Sequence, residues 1–227
     1  MAKTKTVYFC SSCGAQAPQW AGQCGDCGDW NTLSESAAVL PSKQRAANTN
    51  YAGAAANQIH HLDTVVADDV KRITTGVAEF DRVLGGGVVP GSVTLIGGDP
   101  GIGKSTLLLQ VMVKLTEDYA TLYVTGEESL QQVSLRAQRL GYSDAKVPLL
   151  ASTQIETILQ QAQKLKPQII VIDSIQTMFT DELSAAPGAV SQVRECAAQL
   201  VRFAKQTQTS VFLVGHVTKE GTLAGPR

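Results

Sequence analysis

One segment limits the possible folds of this chain more than any other, and it lies near the middle of the sequence. It reads Gly98-Asp99-Pro100-Gly101-Ile102-Gly103-Lys104-Ser105. The segment fits the pattern G-x-x-x-x-G-K-[ST] and lies between an apolar run, Ser92–Gly97, and an amphipathic stretch, Lys104–Thr116. Glycines in such a loop let backbone N–H groups turn inward around phosphate oxygens, and the start of the following helix adds positive potential. The sequence therefore predicts a phosphate-binding loop between a strand and a helix.

The loop predicts a role for each of its polar residues. Lys104 is expected to reach the β and γ phosphates of ATP, and Ser105 is expected to place its hydroxyl on Mg²⁺. We include the next residue, Thr106, in the nucleotide-binding set. The alternative is a glycine-rich turn that only caps a helix, and the strand and helix on either side favour the nucleotide site.

Strand-like and helix-like segments alternate after the loop. Such alternation indicates an α/β fold with a mostly parallel sheet that is covered on both faces. The predicted strands are Thr121–Thr125, Ile169–Asp173 and Ser210–Gly215, and the predicted helices are Ser129–Leu140, Ile155–Lys166 and Val190–Gln206.

Acidic residues follow two of the predicted strands. Asp173 ends a strongly apolar strand and is the candidate for the Mg²⁺ shell, although an Asp at this position can also simply cap a turn. Glu127 and Glu128 come just after the strand Thr121–Thr125, where loops converge on ligands in open α/β sheets. We expect one of them to act as general base on the attacking water, with Glu127 preferred. The alternative is that they only favour the start of the next helix.

Four of the five cysteines lie close together near the N-terminus, as Cys10, Cys13, Cys24 and Cys27. Two C-x-x-C pairs on separate turns can hold one tetrahedral Zn²⁺. Two disulfides or a redox pair are the alternatives. A site with four sulfur ligands has no open position, so the predicted metal is structural. Trp20 and Trp30 are expected to pack against this module or to stack on a base, and packing is preferred.

Composition and charge bound the remaining choices. The formal net charge is -1, so contacts to nucleic acid must come from local basic loops. Neither a membrane span nor a secretion signal is recognisable, which predicts a cytoplasmic protein without a membrane partner.

The expected division is a four-cysteine zinc finger at 1–33, a linker at 34–57 and an ATPase core at 58–227. Cys196 lies among apolar residues of a predicted helix and is expected to be an inert core residue.

Together these motifs resemble the N-terminal part of the RadA (Sms) family of bacterial DNA-repair and recombination proteins, which is related to RecA. The resemblance covers the whole chain. Besides the phosphate loop, its carriers are Tyr8–Gly14 with Trp20, the pair Cys24 and Cys27 with Trp30, Thr75–Gly87, and Val214–Gly221.

The resemblance implies a RecA-like P-loop ATPase core preceded by a small four-cysteine zinc module. It implies a DNA-dependent ATPase of the helicase or translocase type that acts on single-stranded DNA and drives branch migration in recombinational repair. In its full length such a protein forms a homo-hexameric ring and can work with a recombinase of the RecA type. The implied cofactors are ATP or ADP, Mg²⁺ and Zn²⁺.

By position, the resemblance implies that Lys104 and Ser105 bind nucleotide and Mg²⁺ and that Asp173 is the Walker B acid. It also implies that Glu127 activates the attacking water and that His216 senses the γ-phosphate. Two segments would face the channel of a ring, at 177–194 and 218–227. Lys219 and Arg227 of the second segment are candidates for phosphate contacts.

The chain departs from the family pattern at its C-terminal end. Family members continue with a Lys-Asn-Arg-Phe-Gly motif and a Lon-protease-like domain, and neither is present in these 227 residues. We therefore expect an N-terminal fragment that binds nucleotide but turns it over poorly. Two other functions stay open: a nucleotide-gated regulatory ATPase of the KaiC type, and a zinc-stabilised scaffold that binds nucleotide only as a structural ligand.

Overall fold

A computed structural model describes residues 6–10, 15–37, 61, 63 and 71–216. The N-terminal part contains three antiparallel strands, β1 (Thr6–Cys10), β2 (Gln16–Ala17) and β3 (Leu33–Ala37), in the order β2-β1-β3. Cys10, Cys24 and Leu33 form its small core. A core of this size needs a staple, because so few apolar side chains are removed from water.

The strand β3 extends into the segment that the sequence predicts as a linker. It pairs with β1 along its whole length, from Leu33 opposite Cys10 to Ala37 opposite Thr6. The run Ser34-Glu35-Ser36 is polar and shows no apolar alternation, so only the backbone pairing reveals it as a strand. The ordered ribbon therefore reaches four residues beyond the predicted boundary at 33.

The larger part of the structure is a five-stranded sheet with the order β4-β8-β7-β5-β6, and every pair of neighbours is parallel. The predicted α/β fold with a mostly parallel sheet behind a cysteine-rich ribbon is confirmed. Its strands are β4 (Val93–Gly98), β5 (Thr121–Thr125), β6 (Leu149–Ala151), β7 (Ile169–Asp173) and β8 (Ser210–His216). Its helices are α1 (Ala78–Val83), α2 (Lys104–Leu115), α3 (Leu130–Arg139), α4 (Ile155–Leu165) and α5 (Val190–Thr207).

Two hydrophobic clusters cover the two faces of this sheet. One face packs against α4 and α5 and includes Ile170 and Ile172 of β7. The other face packs against α2 and α3 and includes Ile169 and Val171. Because side chains alternate between faces along a strand, Asp173 lies on the same face as Ile169 and Val171, which is the face of α2.

Helix ends follow the local sequence closely. Ser129 is the N-cap of α3, and its side chain and that of Gln132 form a reciprocal capping box. Lys166 ends α4 in the left-handed region, with a φ of 50°, directly before Pro167. Within the part of the chain that the structure describes, no helix combines the length and the apolar character that crossing a bilayer requires.

Candidate nucleotide site and metal centre

The predicted site residues come together at the carboxyl edge of the sheet. The phosphate loop follows β4, Glu127 follows β5, Asp173 ends β7 and His216 ends β8. The strands β4, β8, β7 and β5 are consecutive neighbours, and the register places Gly98 beside His216 and Thr125 beside Asp173. Segments far apart in the sequence therefore meet where open α/β sheets bind ligands.

The backbone of the phosphate loop fits an anion. Gly101 and Gly103 have φ values of 82° and 97°, in the left-handed region that favours glycine. Gly103 is also the N-cap of α2, so the first N–H groups of this helix point toward the space that the loop surrounds. Among the described residues, the backbone N–H groups of 101–106 find no hydrogen-bond acceptor. Such a run of N–H groups at a helix start is what phosphate oxygens require.

The side chain of Lys104 is held over this loop. Its Nζ donates hydrogen bonds to the carbonyl oxygens of Gly98 at 2.7 Å and Asp99 at 2.8 Å. The residue is buried, so its ammonium group needs such partners. Backbone carbonyls are neutral acceptors, and phosphate oxygens would be stronger partners for the same group.

Asp173 is buried at the end of β7, and its Oδ2 accepts a hydrogen bond of 2.5 Å from the hydroxyl of Tyr123. Burial and the adjacent Asp173 carboxylate raise the pKa of Tyr123 above its ordinary range. The phenol therefore stays protonated and acts as a donor. The sequence did not mark Tyr123, because its position in β5 reads as an ordinary core position.

The two adjacent glutamates have different surroundings. Oε1 of Glu127 accepts a hydrogen bond from the hydroxyl of Ser174 and lies 3.1 Å from Nε2 of His216. Glu128 instead forms an ion pair with the buried Arg136. Glu127 thus faces the sheet edge beside Asp173, whereas Glu128 is tied to α3.

Two residues of this edge escaped the sequence analysis. Ser174 directly follows Asp173 and contacts Glu127. The side-chain Nε2 of Gln176 donates to the carbonyl oxygen of His216 at 3.3 Å. Both lie in the segment just after β7, and the peptide bond between Asp173 and Ser174 is cis. Polar residues directly after a strand that ends at a predicted site are the signal that would have identified them.

The cysteine module has the geometry of a metal centre. The Sγ atoms of Cys10, Cys24 and Cys27 lie within 4.8 Å of one another, and those of Cys10 and Cys27 are 3.6 Å apart. Zn–S bonds of about 2.3 Å in a tetrahedron separate the sulfurs by about 3.8 Å, whereas a disulfide requires about 2.05 Å. The observed separation therefore fits shared coordination and excludes a Cys10–Cys27 disulfide. Cys13 lies outside the described residues.

The tryptophans of the ribbon are more exposed than the preferred packing interpretation implies. The relative exposure is 59% for Trp20 and 69% for Trp30. The ring of Trp30 covers Gly22, at which a Cβ would lie 3.7 Å from the ring. That ring has one packed side, and most of both side chains faces solvent.

Only part of the first predicted DNA segment, 177–194, is a loop. Its start belongs to a 3-10 turn, Ile175–Thr177, and α5 begins at Val190. The side-chain amide of Gln192 fixes the intervening backbone through four hydrogen bonds, one from the N–H of Thr180 and three to carbonyl oxygens. The exposed charges between these elements are the acids Asp181 and Glu182. The second segment, 218–227, with Lys219 and Arg227, lies outside the described residues.

Cys196 lies inside α5 and is fully buried. Burial and then the carboxylates of Glu156 and Glu195 raise the pKa of its thiol to about 12. A thiol with such a pKa stays protonated at neutral pH and is a poor nucleophile. The prediction of an inert core cysteine agrees with this environment.

Comparisons with known proteins agree with the two-part architecture. An AAA domain family matches residues 55–222, and a rubredoxin metal binding domain family matches residues 8–35. The DNA repair protein RadA of Pseudomonas aeruginosa is 56% identical over the whole chain, and those of Escherichia coli and Bacillus subtilis are 50% and 46% identical. The chain spans 50% of the length of each of these relatives, and it matches their N-terminal half. The resemblance predicted from the sequence is confirmed.

Proposed function

We propose that this chain, which belongs to the AAA domain family, binds ATP and hydrolyses it at the carboxyl edge of its parallel sheet. The observation that carries the proposal is the meeting of three groups at strand ends along one edge of the sheet. These are the phosphate loop with Lys104, the buried carboxylate of Asp173 and the carboxylate of Glu127. Phosphoryl transfer requires positioning and charge stabilisation more than covalent chemistry, and these groups supply both.

In the proposed bound state, the N–H groups of 101–106 and the ammonium of Lys104 hold the phosphates. Lys104 leaves its two carbonyl partners for phosphate oxygens, because a charge-assisted hydrogen bond is stronger than a neutral one. Ser105 and Asp173 are the residues that would hold Mg²⁺. When bound, this ion neutralises part of the charge on the phosphate oxygens.

Glu127 is the proposed general base. Its carboxylate accepts a proton from the water that attacks the γ-phosphorus, and it is held in place by Ser174 and His216. In this proposal His216 responds to the γ-phosphate through its contact with Glu127. Glu128 is unsuited to this role, because its carboxylate is engaged by Arg136.

From the similarity to DNA repair proteins we further propose that the hydrolysis serves DNA repair. The finer parts of this proposal come from the resemblance: action on single-stranded DNA, branch migration, a homo-hexameric ring and cooperation with a RecA-type recombinase. The exposed acids of the loop at 178–189 argue against phosphate contacts there and favour Arg194 at the start of α5 or the segment 218–227.

The test is to measure binding of ATP and ADP and the release of phosphate, with and without a single-stranded oligonucleotide, on the chain and on its full-length protein. We expect nucleotide binding by both, and turnover stimulated by DNA in the full-length protein. Turnover that single-stranded DNA does not stimulate supports a KaiC-type regulator instead. If the full-length protein binds nucleotide without turnover, and Glu127→Gln leaves that affinity unchanged, the result supports a nucleotide-binding scaffold. No affinity for either nucleotide refutes the proposal.

A further inference from the structure

Tyr123 supplies the hydrogen bond that the Asp173 carboxylate receives within the described part of the chain. We propose that Tyr123 is a positioning residue that orients this carboxylate for Mg²⁺, a role that rests on the nucleotide site proposed above. The residue lies in the middle of β5, before the strand end at which the nucleotide and the metal are proposed to bind. Its contribution is the direction in which Asp173 presents its second oxygen.

The sheet register brings the two side chains together. Tyr123 lies beside Val171, and Asp173 lies beside Thr125, two residues further along β5. All four side chains lie on the face of α2, because alternate residues of a strand share a face. The Tyr123 side chain therefore leans along the strand, by the distance of two residues, for its hydroxyl to meet Asp173.

The ring of Tyr123 has little freedom to move away. It is fully buried in the cluster between the sheet and the helices α2 and α3, together with Met112 and Val133. Interiors of this kind are close-packed, and a ring that is held on all sides keeps its hydroxyl in one place. A fixed donor is what an orienting role requires.

The hydrogen bond distinguishes the two oxygens of Asp173. Oδ2 is occupied by the phenol at 2.5 Å, whereas Oδ1 accepts no hydrogen bond from the described residues. Without the phenol the carboxylate could turn about its last torsion and exchange the two oxygens. With the phenol on Oδ2, Oδ1 is the oxygen left for the metal before it arrives, and binding does not have to supply that ordering.

A purely structural role for the hydroxyl makes a different prediction. A buried carboxylate requires a donor for stability alone, and loss of the donor would then weaken the fold and every form of nucleotide binding together. An orienting role affects only the contribution of the metal. Comparing ADP binding with and without Mg²⁺ separates these two effects.

The experiment measures the affinity of the full chain for a fluorescent ADP by polarisation, in Mg²⁺ and in EDTA. For Tyr123→Phe we expect the affinity in Mg²⁺ to fall by about tenfold, as for other groups that orient metal ligands, and the affinity in EDTA to stay within about twofold. Tyr142→Phe is the matched control, since Tyr142 is a half-buried tyrosine just after α3, and both of its affinities should stay unchanged.

An unchanged ratio of the two affinities in Tyr123→Phe overturns the proposal, whether both affinities stay the same or both fall equally. If the unsubstituted chain binds ADP under neither condition, the nucleotide site itself fails instead. A thermal melt checks that each variant is folded. Should Tyr123→Phe not fold, Tyr123→4-aminophenylalanine keeps a donor of the same shape. A folded protein with that substitution should keep the Mg²⁺ to EDTA ratio within about twofold, and loss of the ratio overturns the proposal.

Discussion

Nε2 of His216 lies 3.1 Å from Oε1 of Glu127, although 89 positions separate them in the sequence. His216 ends β8 and Glu127 follows β5, and β7 lies between those two strands. The contact therefore spans the end of β7, where Ser174 donates to the same carboxylate oxygen. One carboxylate thus joins three neighbouring strand ends, and a change at any of them alters the position of the proposed base.

Replacing Glu127 by Gln should separate hydrolysis from binding. The amide keeps the shape of the side chain but cannot accept a proton, so we expect ATP turnover by the full-length protein to fall by about 100-fold or more. Affinity for ADP should change little. Phosphate release and nucleotide titration measure the two effects.

Glu128→Gln is the matched control for that experiment, because Glu128 is adjacent and carries the same charge. Its partner Arg136 is buried, so this substitution leaves a cation uncompensated and should lower the melting temperature more than Glu127→Gln does. The assignment of the base to Glu127 would be wrong if Glu128→Gln removed turnover while Glu127→Gln preserved it.

Lys104→Ala should weaken the binding of nucleoside di- and triphosphates by at least about tenfold. The ammonium is the cation that the structure places on the phosphate loop, and loss of a hydrogen bond to a charged group costs about 1.5–3 kcal/mol, which lowers affinity by at least about tenfold. Titration with a fluorescent ADP measures the loss.

The control for Lys104 is Lys114→Ala, also in α2. The Nζ of Lys114 donates to the carbonyl oxygen of Gly76 at 2.7 Å on an exposed part of the surface. We expect wild-type affinity from this variant. Equal affinity of Lys104→Ala and the unsubstituted chain would contradict the nucleotide site altogether.

The parts of the fold that the sequence predicts are those with a strong local signal. The apolar strand Ile169–Asp173 and the helix opened by Lys104 were predicted at their observed starts, because their periodicity is clear. The strand Leu149–Ala151 and the helix Ala78–Val83 were missed. The first has three residues and the second has no buried residue, so neither shows a period that can be counted.

The candidate site divides in the same way. The phosphate loop is a contiguous motif, and its residues are found by reading one segment. The contacts of Asp173 with Tyr123, and of Glu127 with His216, depend on strand order and register. A single sequence does not contain that order. The sequence already prefers Glu127 to Glu128 as the base, and the different partners of the two side chains add a separate argument for the same choice.

The cysteines should divide into two groups by their reactivity. At pH 8 a thiol with a pKa of about 12 is ionised in roughly one molecule in ten thousand, so Cys196 should resist thiol reagents in the folded protein. The other four cysteines should react rapidly once a chelator removes the metal, with release of one zinc ion per chain. Thiol titration and zinc analysis, before and after denaturation, measure both numbers. Rapid reaction of all five thiols in the native state would contradict this division.

Gly126→Ala should destabilise the edge of the sheet that carries the proposed base. A Cβ at Gly126 would lie 2.2 Å from Oγ1 of Thr177 and 2.9 Å from Cε of Met178, closer than packed atoms allow. Overpacking of this kind costs about 1–3 kcal/mol, and denaturant unfolding monitored by circular dichroism measures it. Because Glu127 is the next residue, we expect turnover to fall as well.

The variant Thr177→Ala provides the internal control for Gly126→Ala, since it removes the Oγ1 atom of the closest contact. The hydroxyl of Thr177 also donates to the carbonyl oxygen of Ser174, so Thr177→Ala alone should cost about 1 kcal/mol. In the double variant the two costs should sum to more than the measured loss, because the methyl group introduced by Gly126→Ala gains the space that Oγ1 vacates. Strict additivity of the two losses would show that steric contact with Thr177 is not the reason why this position is glycine.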